Sequence, residues 1–471
     1  MKIILLGINS SWYQSCLALY YMRAVISDIP HEVEIQEHTL KNRHSEILEI
    51  LSVSGPDVIA ISVYLWNREY IQKLVPEIRK LLPHTKLVFG GPETDALRSR
   101  IQTLSSDVFI IGSGEGAWHR LAATDFAENG ELDAEPTLPL ASIPFCYTPE
   151  DKANIGGKLI YYEAGRGCPF GCVYCLSAED HRNEIRFDVN NPSDLARMKQ
   201  ELDAIVALEP RTVKFIDRSF NIHKAQAHAI WKHVFGLNAE FHFEIYPDLL
   251  TEEDLLLLEQ APANRIRFEI GVQSTNDTVM QSIQRHSRWD KIMPILQALR
   301  SRTRINIHSD LIVGLPGETA ASIIRSFNDL AMCYPHEIQL GMLKILPDTP
   351  MQEIAKARGY LWQDFPPYQV MQSDCLNFAD ICSFDDAAHA INLYWNKGEF
   401  DLCFRLLYQS MEPFDLVKEI MALHKSLDIP IHSLERIKRF RVFKQLLQKF
   451  PDISAAFRED CLRSNIVYAS L

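Results

Sequence analysis

The sequence predicts an α/β protein built from a Rossmann-like (flavodoxin-like) parallel sheet, a partial (β/α)6 barrel and a C-terminal helical domain. Short apolar runs alternate with segments of helical periodicity in two stretches of the chain, and this alternation is typical of parallel sheets covered by helices. Beyond the second stretch only helical periodicity remains. The predicted boundaries are 1–125 for the sheet domain, 126–157 for a linker, 158–375 for the barrel and 376–471 for the helical domain.

The composition is that of an ordinary globular protein. Of the 471 residues, 47% are hydrophobic and 23% are charged. The net charge of −13 argues against bulk binding to nucleic acid, although it leaves local basic patches open. No apolar run reaches the length of about 18 residues that suggests a membrane span, and the apolar start Met1–Ile8 is too short for a signal peptide. Apart from a central trio, the ten cysteines are thinly spread, and this usage without an export signal predicts a cytoplasmic protein.

The first domain is predicted from five short apolar runs with helical segments between them. The predicted strands are Lys2–Ile8, Val33–Gln36, Val58–Tyr64, Lys86–Phe89 and Val108–Ile111. Parallel sheets of this kind bind ligands at the carboxyl ends of their strands. The turns at those ends are rich in small residues, which let a flat, bulky ligand approach the backbone, and glycine-rich turns can bind anions. The candidate binding residues are Asn9, Ser10, Ser62, Tyr64, Trp66, Asn67, Gly90, Gly91, Gly112, Gly114 and Glu115.

Three cysteines, Cys168, Cys172 and Cys175, stand at the spacing C-x3-C-x2-C in the stretch 165–175. Three thiolates can hold three corners of a [4Fe–4S] cluster and leave the fourth iron open for a substrate atom. Gly167 and Gly171 favour a tight loop that turns the sulfurs inward. A zinc site would need a second pair of ligands, which does not follow at the required spacing, and a disulfide cannot use three cysteines.

The barrel is predicted from a second series of strands. They are Leu159–Glu163, Thr212–Asp217, Glu240–Tyr246, Arg265–Gln273, Arg304–Val313 and Ile338–Leu346. Functional residues of such barrels gather at the carboxyl ends of the strands. This rule selects Asp217, Glu244, the pair Gln273-Ser274 and the loop 314–319, in addition to the cysteine loop.

The cysteine spacing, with an aromatic residue (Tyr174) just before the last cysteine, resembles the radical SAM superfamily. The resemblance implies that the open iron binds the amino and carboxylate groups of S-adenosylmethionine (SAM), with Phe170 and Tyr174 beside the bound SAM. It implies that Asp217 replaces the acid of the family's Gly-Gly-Glu motif and contacts the SAM ammonium; the alternative is a helix-capping aspartate. Glu244 and Gln273 then meet the ribose hydroxyls, while the alternative for Glu244 is an ion pair inside the barrel.

Three further residues complete the set that the resemblance implies for SAM. Ser274 follows Gln273 at the end of its strand, Gly314 opens the loop that the family places beside the adenine, and Leu346 ends the last predicted strand. Thr319, in the same loop as Gly314, is also an ordinary helix N-cap.

The N-terminal turns, together with the radical SAM motif behind them, resemble the cobalamin-binding domain of B12-dependent radical SAM enzymes. The run 62–67 and the pair Gly90-Gly91 carry this resemblance. Many B12 carriers have an Asp-x-His-x-x-Gly motif after the first strand, but the stretch 7–12 contains no histidine. The resemblance therefore implies base-off cobalamin without that histidine as the lower cobalt ligand. A flavodoxin-like domain with another ligand, or with none, is the alternative.

The resemblance implies a cobalamin-dependent radical SAM enzyme. Such an enzyme takes an electron from a donor such as flavodoxin or ferredoxin and cleaves SAM reductively to a 5′-deoxyadenosyl radical. The radical abstracts hydrogen from a substrate carbon, to which methylcobalamin transfers a methyl group. Three alternatives stay open: rearrangement, cyclisation or oxidation without methylation; a tRNA-modifying methylthiotransferase-like enzyme; and a non-catalytic cofactor-binding protein. A methylthiotransferase needs three more N-terminal cysteines, whereas only Cys16 and Cys146 precede Cys168.

The C-terminal region gives no motif that identifies a substrate, whether small molecule or macromolecule. Residues 436–449 contain six basic residues and no acid, with apolar residues at helical spacing, which predicts one amphipathic helix. Its basic face is either solvated or a docking surface for RNA or another anion. The loop aromatics Tyr360, Trp362 and Tyr368 either line a substrate pocket or cover the core.

Overall fold

The N-terminal domain is a parallel six-stranded sheet in a computed structural model that describes residues 1–133, 137–178, 180–432 and 434–471. The strand order is β2-β1-β3-β4-β5-β6, as expected for a flavodoxin-like fold. The strands are β1 Lys2–Asn9, β2 Glu32–Thr39, β3 Val58–Ser62, β4 Lys86–Gly90, β5 Val108–Ile111 and β6 Gly130–Asp133. The helices are α1 Leu17–Val25, α2 His44–Ser54, α3 Arg68–Leu81, α4 Thr94–Arg98 and α5 Glu115–Ala123.

This strand order creates a binding crevice at one edge of the sheet. The connection after β1 leads to β2 on one side, whereas the connection after β3 leads to β4 on the other, so the two diverge beyond Asn9 and Ser62. The central strands β1 and β3 are apolar and buried on both faces, because α1 and α5 cover one face while α2 and α3 cover the other.

The segment 126–157, which the sequence predicted as a linker, adds to the first domain. It supplies the sixth strand β6 and the short helix α6 Lys152–Ile155, and three of its residues, 134–136, lie outside the described part of the chain. The strand was missed because it has four residues and only Leu132 among them is apolar and buried.

The second domain is the predicted partial barrel. Six parallel strands follow one another in the order β7-β10-β11-β12-β13-β14, and a small antiparallel pair, β8 and β9, lies beside the cysteine loop. The strands are β7 Leu159–Tyr162, β8 Gly165–Arg166, β9 Glu184–Ile185, β10 Thr212–Phe215, β11 Glu240–Ile245, β12 Ile266–Gln273, β13 Asn306–Val313 and β14 Glu337–Met342. The helices are α7 Pro192–Ala207, α8 Lys224–Val234, α9 Glu252–Leu258, α10 Asp277–Ser282, α11 Trp289–Arg302, α12 Ala320–Ala331 and α13 Pro350–Ala357.

The strands of the barrel separate an apolar outer layer from a polar interior. In β12 the residues alternate between fully buried and half-buried positions, and β13 repeats the pattern. The fully buried set, for example Phe268 and Ile307, packs under the helices, while Glu269 and Asp310 belong to the other set and line the interior. Polar side chains in the interior can therefore reach the carboxyl ends of the strands, where the cysteine loop lies.

The last part is helical, as predicted, after a short hairpin. The elements are β15 Leu361–Trp362, β16 Val370–Gln372, α14 Phe378–Tyr394, α15 Asp401–Leu407, α16 Pro413–Ser426, α17 Arg436–Lys444, α18 Leu446–Lys449 and α19 Ser454–Arg463. The predicted single helix over 436–449 is thus two shorter ones. Its basic residues have local partners: Arg436 and Arg439 pair with Glu399, and Lys449 pairs with Glu419. This compensation favours a structural role for the basic stretch.

The first two domains are joined by direct hydrogen bonds near their strand ends. The Leu159 N–H donates to the Tyr13 carbonyl at 2.9 Å, and the Ser15 hydroxyl donates to the Leu159 carbonyl at 3.0 Å. Arg166 of the barrel pairs with Glu115 of the sheet domain at 2.8 Å. Asn9 and Tyr64 at the carboxyl edge of the first sheet, and Glu163 and Arg218 at that of the barrel, border one shared space. Within the described residues, every helix is too short or too polar to cross a membrane.

Candidate functional site

The cysteine loop is fixed by its backbone. Gly167 has φ +88°, and a Cβ atom there would lie 1.6 Å from the Arg182 carbonyl oxygen, so only glycine fits. The Cys168 N–H donates to the Asp180 carbonyl at 2.8 Å. Cys168 and Cys172 are buried, Cys175 is half-buried, and all three thiols are free. The loop thus presents three thiols to one space.

That space, the cluster cavity, has a volume of about 170 Å³ and lies at the mouth of the barrel. Its walls include the three cysteines and four of the residues predicted for SAM: Phe170, Tyr174, Glu244 and Gln273. The Phe170 ring stacks on Tyr246 with ring centroids 3.9 Å apart. Gln273 has φ +66°, and its Oε1 is buried without a hydrogen-bond partner. An unpaired buried acceptor is costly unless a ligand satisfies it.

The other residues predicted for SAM lie away from the cavity wall. The Asp217 carboxylate accepts a hydrogen bond from the Ala164 N–H at 3.0 Å, and burial raises the pKa of this carboxyl well above its usual range. Ser274 is buried behind the wall, where its hydroxyl donates to Glu318 at 2.6 Å. Gly314 packs against Val370, and the Leu346 carbonyl accepts from the Thr349 hydroxyl.

Several cavity residues were missed by the sequence analysis. They are Arg218, Ser219, Tyr246, Glu269, Arg285 and Asp310. Lys214 joins two of the carboxylates, since its Nζ lies 2.8 Å from Glu269 and 3.4 Å from Glu244. Glu269 and Asp310 stand at alternate, inward-facing positions of β12 and β13, so strand periodicity could have found them. Arg285 follows a short helix, and no local pattern distinguishes it from a surface arginine.

A larger space, the interdomain cavity, lies between the sheet domain and the barrel mouth and has a volume of about 530 Å³. Asn9, Tyr64 and Trp66 of the predicted cobalamin set line it from the sheet domain. Tyr64 and Trp66 are stacked at 4.5 Å with their planes 4° apart, and the Trp66 Nε1 donates to the Ile8 carbonyl at 3.0 Å. The barrel contributes Tyr161, Glu163 and the loop residues around Arg166.

The remaining residues predicted for cobalamin lie at or near this edge of the sheet but do not line the interdomain cavity. Asn67 is fully buried, and its amide donates to the Ile8 and Ser62 carbonyls. Ser62 and Gly90 border a separate apolar space of about 80 Å³ under α1 and α5. Gly91 and Gly112 have positive φ, and Gly114 precedes α5. Ser10 is exposed and hydrogen-bonds to Gln14, and Glu115 pairs with Arg166.

Comparison with protein families gives three matches along the chain. Residues 6–122 match the B12 binding domain, and residues 162–330 match the radical SAM superfamily. The chain thus combines a B12 binding domain with a radical SAM domain. Residues 357–464 match a family described as a protein of unknown function (DUF4080), so the helical part of this radical SAM protein has no assigned role.

Two curated methyltransferases are similar to about two thirds of the chain. The cobalamin-dependent radical SAM methyltransferase TokK of Streptomyces tokunonensis is 24% identical over 65% of the chain and 49% of TokK. A 2-(S-pantetheinyl)-carbapenam-3-carboxylate methyltransferase of Streptantibioticus cattleyicolor is 22% identical over 65% of the chain and 50% of that protein. The chain therefore spans about half the length of these curated relatives. The cobalamin-dependent SAM radical enzyme OxsB, solved with aqua-cobalamin and SAM, shares the fold, with a TM-score of 0.67 over 96% of the chain and 75% of OxsB at 13% identity.

The three thiols of the radical SAM domain are arranged around one space, as a cluster requires. Across the described residues, no three His, Cys, Asp or Glu side chains are arranged to hold one metal ion. In a four-iron cubane each thiolate binds a different iron, so the sulfurs line one space without converging on one point. Three free thiols around the cluster cavity satisfy this requirement.

Glu318, behind the cluster cavity, makes stability depend on pH. Burial raises the pKa of this carboxyl from 4.5 to about 7, so the folded protein holds a proton that the unfolded chain releases between these values. Stability therefore falls as pH rises through this window. At pH 8 we expect the free energy of unfolding of Glu318→Gln to be about 3 kcal/mol higher than that of the wild type, and near pH 4 we expect the two to be equal.

Chemical denaturation at both pH values measures this difference. Glu353→Gln is the control, because Glu353 is exposed on α13 and its ion pair with Lys356 contributes little. Equal unfolding free energies for Glu318→Gln and the wild type at pH 8 would show that the Glu318 carboxyl is not held protonated.

Proposed function

We propose that the chain is a cobalamin-dependent radical SAM methyltransferase whose substrate binds in the interdomain cavity. The observation that carries the proposal is the position of this cavity: turns of the B12-binding domain form one wall, and the barrel mouth beside the three cysteines forms the other. A methyl transfer needs the donor and the substrate radical in near contact, which a shared cavity provides. The methyltransferase activities of TokK and the carbapenam enzyme favour this reaction over rearrangement, cyclisation or oxidation.

Cys168, Cys172 and Cys175 would hold the [4Fe–4S] cluster, and Phe170, Tyr174, Glu244 and Gln273 would contact SAM. When bound, the cluster and SAM supply a 5′-deoxyadenosyl radical and cobalamin supplies a methyl group. The unpaired Oε1 of Gln273 fits a hydroxyl donor such as a ribose oxygen. Because the Asp217 carboxylate is buried away from the cavity wall and accepts from the Ala164 N–H, we assign the SAM ammonium to a carboxylate on that wall, Glu244.

Cobalamin would bind base-off, with the corrin against Asn9, Tyr64 and Trp66. Two observations support a lower cobalt face without a histidine ligand. The turn after β1 has no histidine, and no histidine stands among the described residues that line the interdomain cavity. An EPR spectrum of the cob(II)alamin state tests it: we expect no superhyperfine splitting from a nitrogen ligand, and such splitting would contradict the base-off proposal.

The radical chemistry would need a one-electron donor such as flavodoxin or ferredoxin in a cytoplasmic setting. A methylthiotransferase function is disfavoured because a second cluster needs three further N-terminal cysteines. Cys16 and Cys146 are the two that precede the loop, and both are buried.

Anaerobic reconstitution with iron, sulfide and hydroxocobalamin tests the proposed function. We expect about four irons and one cobalt per chain, and 5′-deoxyadenosine after addition of SAM and dithionite. Iron and 5′-deoxyadenosine without stoichiometric cobalt would retain the radical chemistry and exclude the cobalamin-dependent methyl transfer. Cofactors without 5′-deoxyadenosine would leave a non-catalytic binding protein.

Arg285 is expected to set how easily the cluster is reduced. Its Nη1 lies 3.9 Å from the Cys172 sulfur, its Nη2 donates to the Gly271 carbonyl at 2.6 Å, and its guanidinium covers the Tyr246 ring. A positive charge beside a cluster thiolate stabilises the reduced state more than the oxidised state. We expect Arg285→Met to lower the ratio of reduced to oxidised cluster about tenfold at a fixed potential, or about 59 mV for one electron.

An EPR-monitored redox titration measures this shift. Arg285→Lys keeps the charge and should recover most of it, while Arg325→Met, on the exposed face of α12, should leave the midpoint potential unchanged. A midpoint potential that is the same in Arg285→Met and the wild type, at equal iron content, would contradict the role.

A further inference from the structure

We propose that Arg218 is a binding site for an anionic group, a carboxylate or phosphate, of the molecule held where the interdomain and cluster cavities meet. The inference rests on the proposed function, which puts SAM and substrate in these two cavities. It assigns a role to Arg218, whereas the sequence predicted its neighbour Asp217 as the binding residue of this turn.

The first argument is position. Among the described residues, Arg218 is the one that lines both the interdomain cavity and the cluster cavity. Asp217, one residue earlier, is buried and bound to the Ala164 backbone. The turn after β10 therefore presents a cation to the cavities at the place where the family's usual motif carries an acid.

The second argument is a comparison of the charged residues on the wall of the interdomain cavity. Arg166 forms two hydrogen bonds to Glu163, at 2.9 and 2.7 Å, and a third to Glu115 at 2.8 Å. Asp180 is held in a two-bond pair with Arg182 at 2.8 and 2.7 Å. These charges are matched within the protein and have little capacity left for a ligand.

Arg218 differs from these matched groups. Within the described residues its ion-pair partner is Glu244, at 3.5 Å, which is beyond the distance of a strong charge-assisted hydrogen bond. Its side chain is 54% exposed. The Glu244 carboxylate is shared between two cations, because the Lys214 Nζ lies 3.4 Å from its other oxygen. Several N–H donors of the guanidinium therefore remain available to the cavity.

The third argument is chemical. A guanidinium presents a planar fork of donors that matches a carboxylate or phosphate with two parallel hydrogen bonds. An anion held by Arg218 would be anchored between the cysteine loop and the B12-binding domain, which would orient the rest of its molecule toward both. This chemistry has two sources in the proposed reaction: the carboxylate of SAM, or an anionic group of the substrate.

Protection of Arg218 from phenylglyoxal tests the proposal and separates the sources. The reconstituted full chain is treated with phenylglyoxal, and modification is followed by peptide mass spectrometry. The internal reference is Arg325, which is exposed on α12 and lines neither cavity. The additions are SAM, decarboxylated SAM, and inorganic phosphate in the presence of decarboxylated SAM.

We expect Arg218 modification to slow about tenfold at saturation while Arg325 is unchanged. Protection by SAM and not by decarboxylated SAM identifies the SAM carboxylate as the bound anion. If SAM protects Arg218 no better than decarboxylated SAM does, and phosphate adds protection, the bound anion is an anionic group of the substrate. Both results support an anion site. Modification of Arg218 at the same rate under all additions overturns it.

A second measurement distinguishes binding of an anion to the guanidinium from steric protection against phenylglyoxal. Arg218→Met and Arg218→Lys are compared for affinity to the protecting anion by equilibrium dialysis. We expect about a tenfold loss in Arg218→Met, with partial recovery in Arg218→Lys. Affinity equal to the wild type in Arg218→Met overturns the site. Formation of 5′-deoxyadenosine by the wild type is measured in the same experiment. If the wild type forms none, the proposed function is refuted, whereas the anion site is judged by the binding and protection results.

Discussion

Cys172→Ala removes the cluster and with it the formation of 5′-deoxyadenosine. Cys172 is buried in the loop, and its sulfur is the one that Arg285 approaches. Two remaining thiolates cannot hold three corners of a cubane, so we expect bound iron to fall below about one atom per chain. Iron analysis and chromatographic detection of 5′-deoxyadenosine after reduction measure the two losses.

Cys382→Ala is the matched control for Cys172→Ala. Cys382 is exposed on α14 and lines neither cavity, so its loss should leave iron content and 5′-deoxyadenosine unchanged. If Cys172→Ala keeps full iron and cleaves SAM, another residue ligates the cluster, and the three-cysteine assignment is wrong.

Gly91→Ala destabilises the sheet domain, whereas Gly90→Ala in the neighbouring position does not. Gly91 has φ +113°, and a Cβ there would lie 2.4 Å from the Val63 carbonyl oxygen. At Gly90 a Cβ would meet nothing within 4 Å, and φ is not positive. We expect Gly91→Ala to lower the free energy of unfolding by about 3 kcal/mol, through backbone strain and displacement of the turn after β3.

Denaturant unfolding of both variants without cobalamin measures this contrast. Cobalt content after reconstitution gives a second value, since the displaced turn carries Tyr64 and Trp66. Equal unfolding free energies for Gly91→Ala and Gly90→Ala would show that the turn tolerates a side chain. The close approach of Gly91 to the Val63 carbonyl would then not require glycine.

The fold could be predicted because alternation of strands and helices is a local property of the sequence. Both parallel sheets and the helical end follow from it, and Thr319 is the helix N-cap that the sequence predicted, accepting from the Ser322 N–H. The strand β6 escaped because its pairing with β5, and not its composition, makes it a strand. Tertiary contact decided where local pattern was weak.

Site residues that lie close together in the sequence could be predicted, whereas those that the fold brings together from distant positions could not. The cysteine spacing is a local signal, so the thiols were found. Asp217 and Arg218 are adjacent at the end of β10, and only the course of the turn decides which of them faces the cavities. Arg285 reaches Cys172 across 113 positions of sequence, a contact that no local pattern contains.

The larger of the two apolar cores extends through all three parts of the chain, and this has a mechanical consequence. Buried residues of α1, the barrel strands and the C-terminal helices form one continuous cluster, with Tyr20 against Tyr147 among the links. The shared packing should therefore couple the unfolding of the parts, so that damage to the first sheet loosens the cysteine loop. Entry of a substrate would then depend on movement of loops at the rim, because separating the domains would expose the core to water.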